Sequence, residues 1–357
     1  MTPAPEPETR IETRGRAGWI TLDRPRALNA LTLNMVRQIS AALDDFERDA
    51  GCAFVVIAGA GERAFCAGGD IRKLHGQGRA GDHDAQRAFW REEYILNVRI
   101  KRFPKPLVAV VDGIVMGGGV GLAMHGSHRV VGDRALFAMP EVGIGFFPDV
   151  GATYLLPRLP RRLGAFLALT GLGAKAGDIA ALGLATSFTK SADMADLLEA
   201  LAGDAAPLEE ILARFTSAAP PSALMAEADW IEAAFSSYDA GAIRDAVERA
   251  AASGSALARQ AADALAKKSP TSQAIALRQM EIGGRLDFEA AMTTEFRIVS
   301  RICRGHDFYE GVRAVIVDKD NRPIWSPSAG ESVAGEAVDA YFAPLGADEL
   351  SFARTAP

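Results

Sequence analysis

Six residues, Met116-Gly117-Gly118-Gly119-Val120-Gly121, constrain the fold of this chain more than any other stretch. They are entered from the apolar run Leu107 to Val111 through Asp112-Gly113 and left by Leu122-Ala123-Met124, a sequence that reads as strand, tight turn and helix start. The first peptide N–H groups of a helix have no acceptor within it, and glycine removes the Cβ that would hold a substrate carbonyl away. Such a turn therefore suits a developing oxyanion. A second turn of this kind lies upstream, where the strand-like Phe54 to Ala58 is followed by Phe65-Cys66-Ala67-Gly68-Gly69-Asp70-Ile71. Either turn alone is an ordinary strand-to-helix connection. As a pair they supply one N–H each, and two acids follow them in order: Glu141 in Met139-Pro140-Glu141, then Asp149 in Phe147-Pro148-Asp149-Val150-Gly151.

Bulk properties narrow the class. With 357 residues, 49% hydrophobic and 24% charged, the chain exceeds one typical domain and can bury a large core. A net charge of −6 and the lack of a basic run with interleaved aromatics argue against nucleic-acid binding. No stretch approaches the roughly 18 uninterrupted apolar residues of a membrane span. Met1 to Arg10 is Pro/Glu-rich, unlike a signal peptide or a basic transit peptide, so a cytoplasmic protein is expected. Cys52, Cys66 and Cys303 are too scattered for a metal knot and read as reduced thiols. His75, His83, His125, His128 and His306 show no HExxH or other ligand spacing, so no metal site is expected, and no Ser or Cys partner makes a nucleophile triad of them.

Along the chain, β-rich sequence gives way to α/β alternation and then to helix. Gly18 to Leu22 reads as a strand and Asp23-Arg24-Pro25-Arg26 as a turn. Thr32 to Arg48 reads as a helix capped by Thr32, with Leu33, Val36, Ile39, Leu43 and Phe46 on one face. Further strands are expected at Arg129 to Val131 and Ala135 to Met139. The Ala/Pro/Ser-rich tract Ala202 to Pro221 interrupts the pattern, and Trp230 to Leu265 is Ala-rich and helix-prone, so a boundary is placed near residue 200. Asp70 reads as a helix N-cap, His125 as lying within a helix, and Gly76 to Asp84 as a loop beside the substrate.

These motifs, with Asp23-Arg24-Pro25 and Asn29-Ala30-Leu31 in the same order, resemble the crotonase, or enoyl-CoA hydratase/isomerase, superfamily. The resemblance runs from about Gly18 to Phe188. A narrower one, to the superfamily's 3-hydroxyisobutyryl-CoA hydrolases, rests on Arg91-Glu92-Glu93-Tyr94, Phe137-Ala138-Met139-Pro140-Glu141 and Gly145-Phe146-Phe147-Pro148-Asp149. It continues through Lys268-Ser269-Pro270-Thr271-Ser272, Tyr309-Glu310-Gly311-Val312-Arg313-Ala314 and Trp325-Ser326-Pro327. It implies an α/β fold with a crotonase-like ββα spiral core in residues 1–200 and a mainly helical region in 201–357. It also implies an acyl-CoA substrate, no cofactor beyond the coenzyme A of that substrate, and a possible homo-oligomer. By the same resemblance Gly69 and Gly118 are the oxyanion donors, Glu141 and Asp149 the catalytic acids, and Glu93, Gly118, Glu141 and Asp149 contact substrate. From its own surroundings Glu93 reads only as a solvated glutamate on a helix with Phe89, Ile95 and Val98.

One missing carboxylate separates the activities within the superfamily. Hydratases of this family use two glutamates, one of them three residues beyond the oxyanion glycine; here that position is Gly121, which moves no proton. The other aligns with Glu141, and Asp149 is added eight residues later. Gly143, Gly145 and Pro148 make a poor helix between them, so the two acids meet only if the loop folds back. Hydrolysis of a short 3-hydroxyacyl-CoA thioester, 3-hydroxyisobutyryl-CoA foremost as in valine breakdown, is the expected reaction. The alternatives are an enoyl- or dienoyl-CoA isomerase or hydratase, and a noncatalytic acyl-CoA-binding homologue. Arg24 and Lys73 are basic residues within reach of the role of binding coenzyme A phosphates, although such residues on loops are usually just solvated.

Overall fold

The computed structural model describes residues 8–352, so most of the Met1 to Arg10 stretch and the last five residues lie outside the described part. The chain divides into two compact units, each assembled from three stretches: Met1–Gly69, Arg99–Phe137 and Ala174–Ser222 in the first, Asp70–Val98, Ala138–Gly173 and Ala223–Pro357 in the second. The cut expected near residue 200 falls inside a helix of the first unit, Met194–Gly203. The second unit takes the segments bearing Glu93, Glu141 and Asp149 together with the C-terminal helices.

Ten strands form in chain order: β1 Thr9–Arg14, β2 Ala17–Leu22, β3 Phe54–Gly59, β4 Ala64–Cys66, β5 Leu107–Val111, β6 Ile114–Met116, β7 His128–Val131, β8 Leu136–Ala138, β9 Ala174–Lys175 and β10 Ser187–Phe188. Six make one sheet in the order β1-β2-β3-β5-β7-β10, where β1 and β2 are an antiparallel pair and each later neighbour is parallel. Parallel strands buried on both faces need continuous apolar runs, and Phe54-Val55-Val56-Ile57 and Leu107-Val108-Ala109-Val110-Val111 supply them. One face of the sheet, carrying Trp19, Phe54, Val56, Val108 and Val110, packs with Met194, Leu197, Leu201, Leu208 and Ile211. A smaller sheet runs β4-β6-β8-β9. Its first two strands each deliver the chain into one of the glycine turns.

The second unit is largely helical. Its helices begin where polar caps satisfy a free N–H: Asp239 accepts from Ala242, Ser255 from Ala258, Ser269 from Ser272 and Asp287 from Ala290. These caps open the helices Ala240–Ala252, Ala256–Leu265, Pro270–Gly283 and Phe288–Ile302. Thr32 and Asp70 cap their helices as expected, accepting from Met35 and Lys73.

Three local expectations are corrected. The tract Ala202 to Pro221 contains the helix Leu208–Phe215, because Leu208, Ile211 and Leu212 recur at helical spacing and are buried in the first unit's core. Gly76 to Asp84 is mostly helix: Ile71–Arg79 runs into it and His83–Lys101 leaves it, with Gln86 Nε2 donating back to Leu74 O. His125 lies beyond the helix Gly118–Ala123 rather than within it. No helix among the described residues is long and apolar enough to cross a membrane.

Candidate active site

In the first unit the two glycine turns lie side by side. β4 passes through Ala67 to Gly68, whose φ of +112° excludes ordinary side chains. The turn is tied to the segment after Pro25: Ala67 N–H donates to Leu28 O at 3.0 Å and Leu31 N–H to Gly68 O at 2.8 Å. Asn29 explains the Asn29-Ala30-Leu31 landmark physically. Its buried amide donates to Ala60 O and Ala64 O and accepts from Arg24 N–H, at 3.0, 2.9 and 2.9 Å. β6 delivers Gly117, at φ +46°, as the N-cap of the helix Gly118–Ala123. A Cβ on Gly68 would stand 3.6 Å from Met116 O and 3.9 Å from Gly118 N, and one on Gly119 would meet Cys66 O at 2.3 Å. The second turn is therefore packed backbone to backbone on the first. Among the described residues the N–H groups of Gly69 and Gly118 have no acceptor. Arg24 is engaged by the chain itself, donating to Ala30 O and pairing with Glu8. Cys66 is a buried thiol donating to Gly68 O.

In the second unit four carboxyl groups are buried together. Glu141 opens a short 3-10 turn, Glu141–Ile144, which ends at Gly145 in the left-handed region. A Cβ at Gly145 would strike Asp307 O at 1.9 Å, so glycine is obligatory there. The chain then folds back through Pro148 to Asp149, a course that the glycines and proline between the acids allow without dictating it. Tyr94 Oη donates to Asp149 Oδ2 at 2.8 Å. Glu93, next to Tyr94 on the helix His83–Lys101, is only 2% exposed, not solvated as its sequence surroundings suggest. Glu295, on the helix Phe288–Ile302, is wholly buried and accepts the Gly151 and Thr153 N–H groups, one on each oxygen and both at 2.8 Å.

The electrostatics follow from burial and crowding. Burial is the main cause that raises Glu93 and Glu141 well above the ordinary carboxylate range, and the charges of Asp149 and Glu295 raise both further. Asp149 is pushed up to about 7 by burial, opposed by the Tyr94 hydrogen bond and its own backbone N–H. Burial raises Glu295 to about 8 against the two backbone donors, with Asp149 adding to the rise. Lys268 is the cation that favours ionised Glu141; burial and Lys267 lower its own pKa. Glu93 Oε1 and Glu141 Oε2 are buried and accept no hydrogen bond from the described residues, so both acids keep lone pairs for a ligand. Among the described residues no cluster of His, Cys, Asp and Glu has the arrangement of a metal site.

Glu93, Glu141 and Asp149 thus come together, and sequence reasoning missed Tyr94, Glu295 and the role of Lys268. A signal for Glu295 was present: it sits at the helical spacing of buried Ala291, Met292, Ile298 and Val299, an acid inside an apolar stripe.

Set against known proteins, residues 17–342 match the model of the enoyl-CoA hydratase/isomerase family. This chain belongs to that family. It is 46% identical to the mitochondrial 3-hydroxyisobutyryl-CoA hydrolase of Danio rerio, over 96% of this chain and 91% of that protein. With the Homo sapiens protein of that name it shares 42%, over 97% and 91%. A carnitinyl-CoA dehydratase from Mycobacterium thermoresistibile superposes with a TM-score of 0.91 at 38% identity, covering 97% of this chain and 98% of that one. An enoyl-CoA hydratase from Rhodobacter sphaeroides 2.4.1 superposes with a TM-score of 0.90 at 43% identity, covering 97% and 100%. The fold is the crotonase-like α/β core with a helical C-terminal region that the motifs imply. The cytoplasmic expectation is overturned, because the curated hydrolase relatives are mitochondrial proteins. Acidic, Pro-rich Met1 to Arg10 was a poor guide to compartment.

Proposed function

We propose that this protein hydrolyses a short 3-hydroxyacyl-CoA thioester, 3-hydroxyisobutyryl-CoA foremost, to the free hydroxy acid and coenzyme A. The observation that carries this reading is the acid inventory. Gly121 leaves the first unit's glycine helix without the second hydratase acid, while Asp149 is buried with Glu141 and raises its pKa. The named activity of the relatives at 42–46% identity supports the same substrate.

In this reading the Gly69 and Gly118 N–H groups stabilise the thioester oxyanion, a role in which one donor is worth roughly 10²–10³ in rate. Glu141 either takes a proton from water as it attacks the carbonyl or attacks it directly to give an anhydride. In both routes a C–O bond forms, the C–S bond breaks and the departing sulfur is protonated; in the covalent route water then adds to the anhydride, whose C–O bond breaks to release the hydroxy acid and restore the Glu141 carboxyl. Hydroxylamine trapping, or ¹⁸O entering Glu141 in a single turnover in labelled water, marks the covalent route, and absence of both marks the general base. Asp149 orients the substrate hydroxyl and assists proton transfer, and Glu93 contacts the acyl group. No cofactor is needed beyond the coenzyme A of the substrate. Self-association, which the family resemblance implies, belongs to the same proposal and is read by sedimentation.

The names of the two solved relatives favour a second reading, hydration of an enoyl-CoA. Incubation with 3-hydroxyisobutyryl-CoA and, separately, crotonyl-CoA separates the two. Thiol release from the first, lost in Glu141→Gln, is expected. Loss of the enoyl chromophore without thiol release overturns the hydrolase reading.

A further inference from the structure

Asp149 is followed by two residues with left-handed backbone, Val150 at φ +53° and Gly151 at φ +92°, and then by the single-turn helix Ala152–Leu155. A β-branched residue at positive φ is strained and persists only where its surroundings enforce it. A helix of four residues cannot hold itself. The enforcement comes from two helices far along the chain. Glu295 accepts the N–H groups of Gly151 and Thr153, each at 2.8 Å. Gln279 Nε2 donates to Pro148 O at 2.8 Å and to Thr153 Oγ1 at 2.7 Å. The strained turn carrying Asp149 is thereby held on both sides, from Pro148 to Thr153.

The choice of residue is informative. Glu295 has no cationic partner among the described residues and is fully buried, a costly place for an acid. A leucine would fill the stripe, and a glutamine would offer one acceptor where two N–H donors need one each. Only a carboxyl group satisfies both.

We propose that Glu295 is a positioning residue for hydrolysis: it fixes the Asp149 turn so that the Asp149 carboxyl is presented to the 3-hydroxyl of the substrate. The inference rests on the hydrolase reading and on Asp149 as the hydroxyl-binding acid. Glu295 touches no reacting atom and acts through the backbone between Val150 and Thr153. Its loss therefore falls selectively on substrates that carry the hydroxyl.

The test compares thiol release from 3-hydroxyisobutyryl-CoA and isobutyryl-CoA, in single turnover with enzyme in excess, for the wild type, Glu295→Gln and Asp149→Asn. Glu295→Gln is expected to lower the rate on the hydroxylated thioester by roughly 10- to 100-fold, by analogy with the loss of an outer partner that orients a metal-ligating side chain. The hydroxyl-free thioester loses far less, so the ratio of the two rates collapses towards that of Asp149→Asn. Equal losses on both thioesters, leaving the wild-type ratio, mark a merely structural role and overturn the proposal. Glu295→Asp keeps two acceptor oxygens on a shorter stem; it carries the same comparison if the glutamine variant does not fold, with the same two outcomes. Wild-type protein that releases thiol from neither thioester overturns the hydrolase reading instead.

Discussion

The two halves of the candidate machinery are built from different materials. In the first unit the functional atoms are peptide N–H groups, placed by glycines whose turns are tied to Leu28, Leu31 and Cys66 by backbone contacts. In the second unit they are side-chain carboxyls, whose chemistry comes from being buried beside one another. A backbone donor has nearly the same strength wherever it is placed, so only its position is at stake. An acid's strength is itself set by the surroundings, so position and pKa stand or fall together.

That contrast predicts how each half breaks. The largest effect is expected from Glu141→Gln, with thiol release falling about 10²–10⁴-fold, the range for a lost general base and a floor for a lost nucleophile. Gly118→Val should cost roughly 10²–10³ by blocking one donor, with no change in the pH at which activity is half-maximal. Normal turnover in this variant would remove Gly118 from the machinery. Asp149→Asn should move the profile as well as the rate. Its charge is one of the causes that raise Glu141, so the acid limb of the residual activity is expected at lower pH. An unmoved limb would separate Asp149 from Glu141.

Stability responds with the opposite sign. Asp149 is raised from 3.8 to about 7, so the folded state holds its proton more tightly than the unfolded chain. The corresponding stability is fully present below the unfolded value and is lost as pH rises through about 7. Between pH 5 and pH 8 the wild-type Tm is expected to fall, and Asp149→Asn should show a shallower fall with a higher Tm at the alkaline end. A steeper fall in the variant would contradict the burial that raises this acid. A smaller effect is expected of Lys268→Met: without the cation, Glu141 rises further and the acid limb shifts to higher pH. The smallest is Gly143→Ala, whose Cβ would stand 3.0 Å from Lys268 Nζ. The flexible Lys268 tip has only to yield by a few tenths of an ångström, and a slight shift of the limb in the same direction would register it.

The contrast also explains what could be read without coordinates. The glycine turns, the caps at Thr32 and Asp70, and the strands feeding the turns were legible because their causes are local: spacing, φ and a free N–H. That Glu141 and Asp149 could meet only through a loop that folds back was legible from Gly143, Gly145 and Pro148; that the loop does fold back was not. What stayed hidden depends on residues far apart in the chain. Glu295 reaches Gly151 across 144 positions. Glu93, by contrast, sits at the helical spacing of Phe89, Trp90 and Leu96, a signal that a reading against Phe89, Ile95 and Val98 passes over. The helix Leu208–Phe215 was missed because Pro207 and the proline-rich sequence after it drowned its apolar spacing.

The dependence of the Asp149 turn on Gln279 and Glu295 sets a limit on portability. A fragment ending near residue 200 would keep both glycine turns, Glu93, Glu141 and Asp149, yet would lack both side chains that pin residues 148–153. Grafting Asp149 onto a shorter relative without those two helices would transfer the residue and leave behind the scaffolding that aims it.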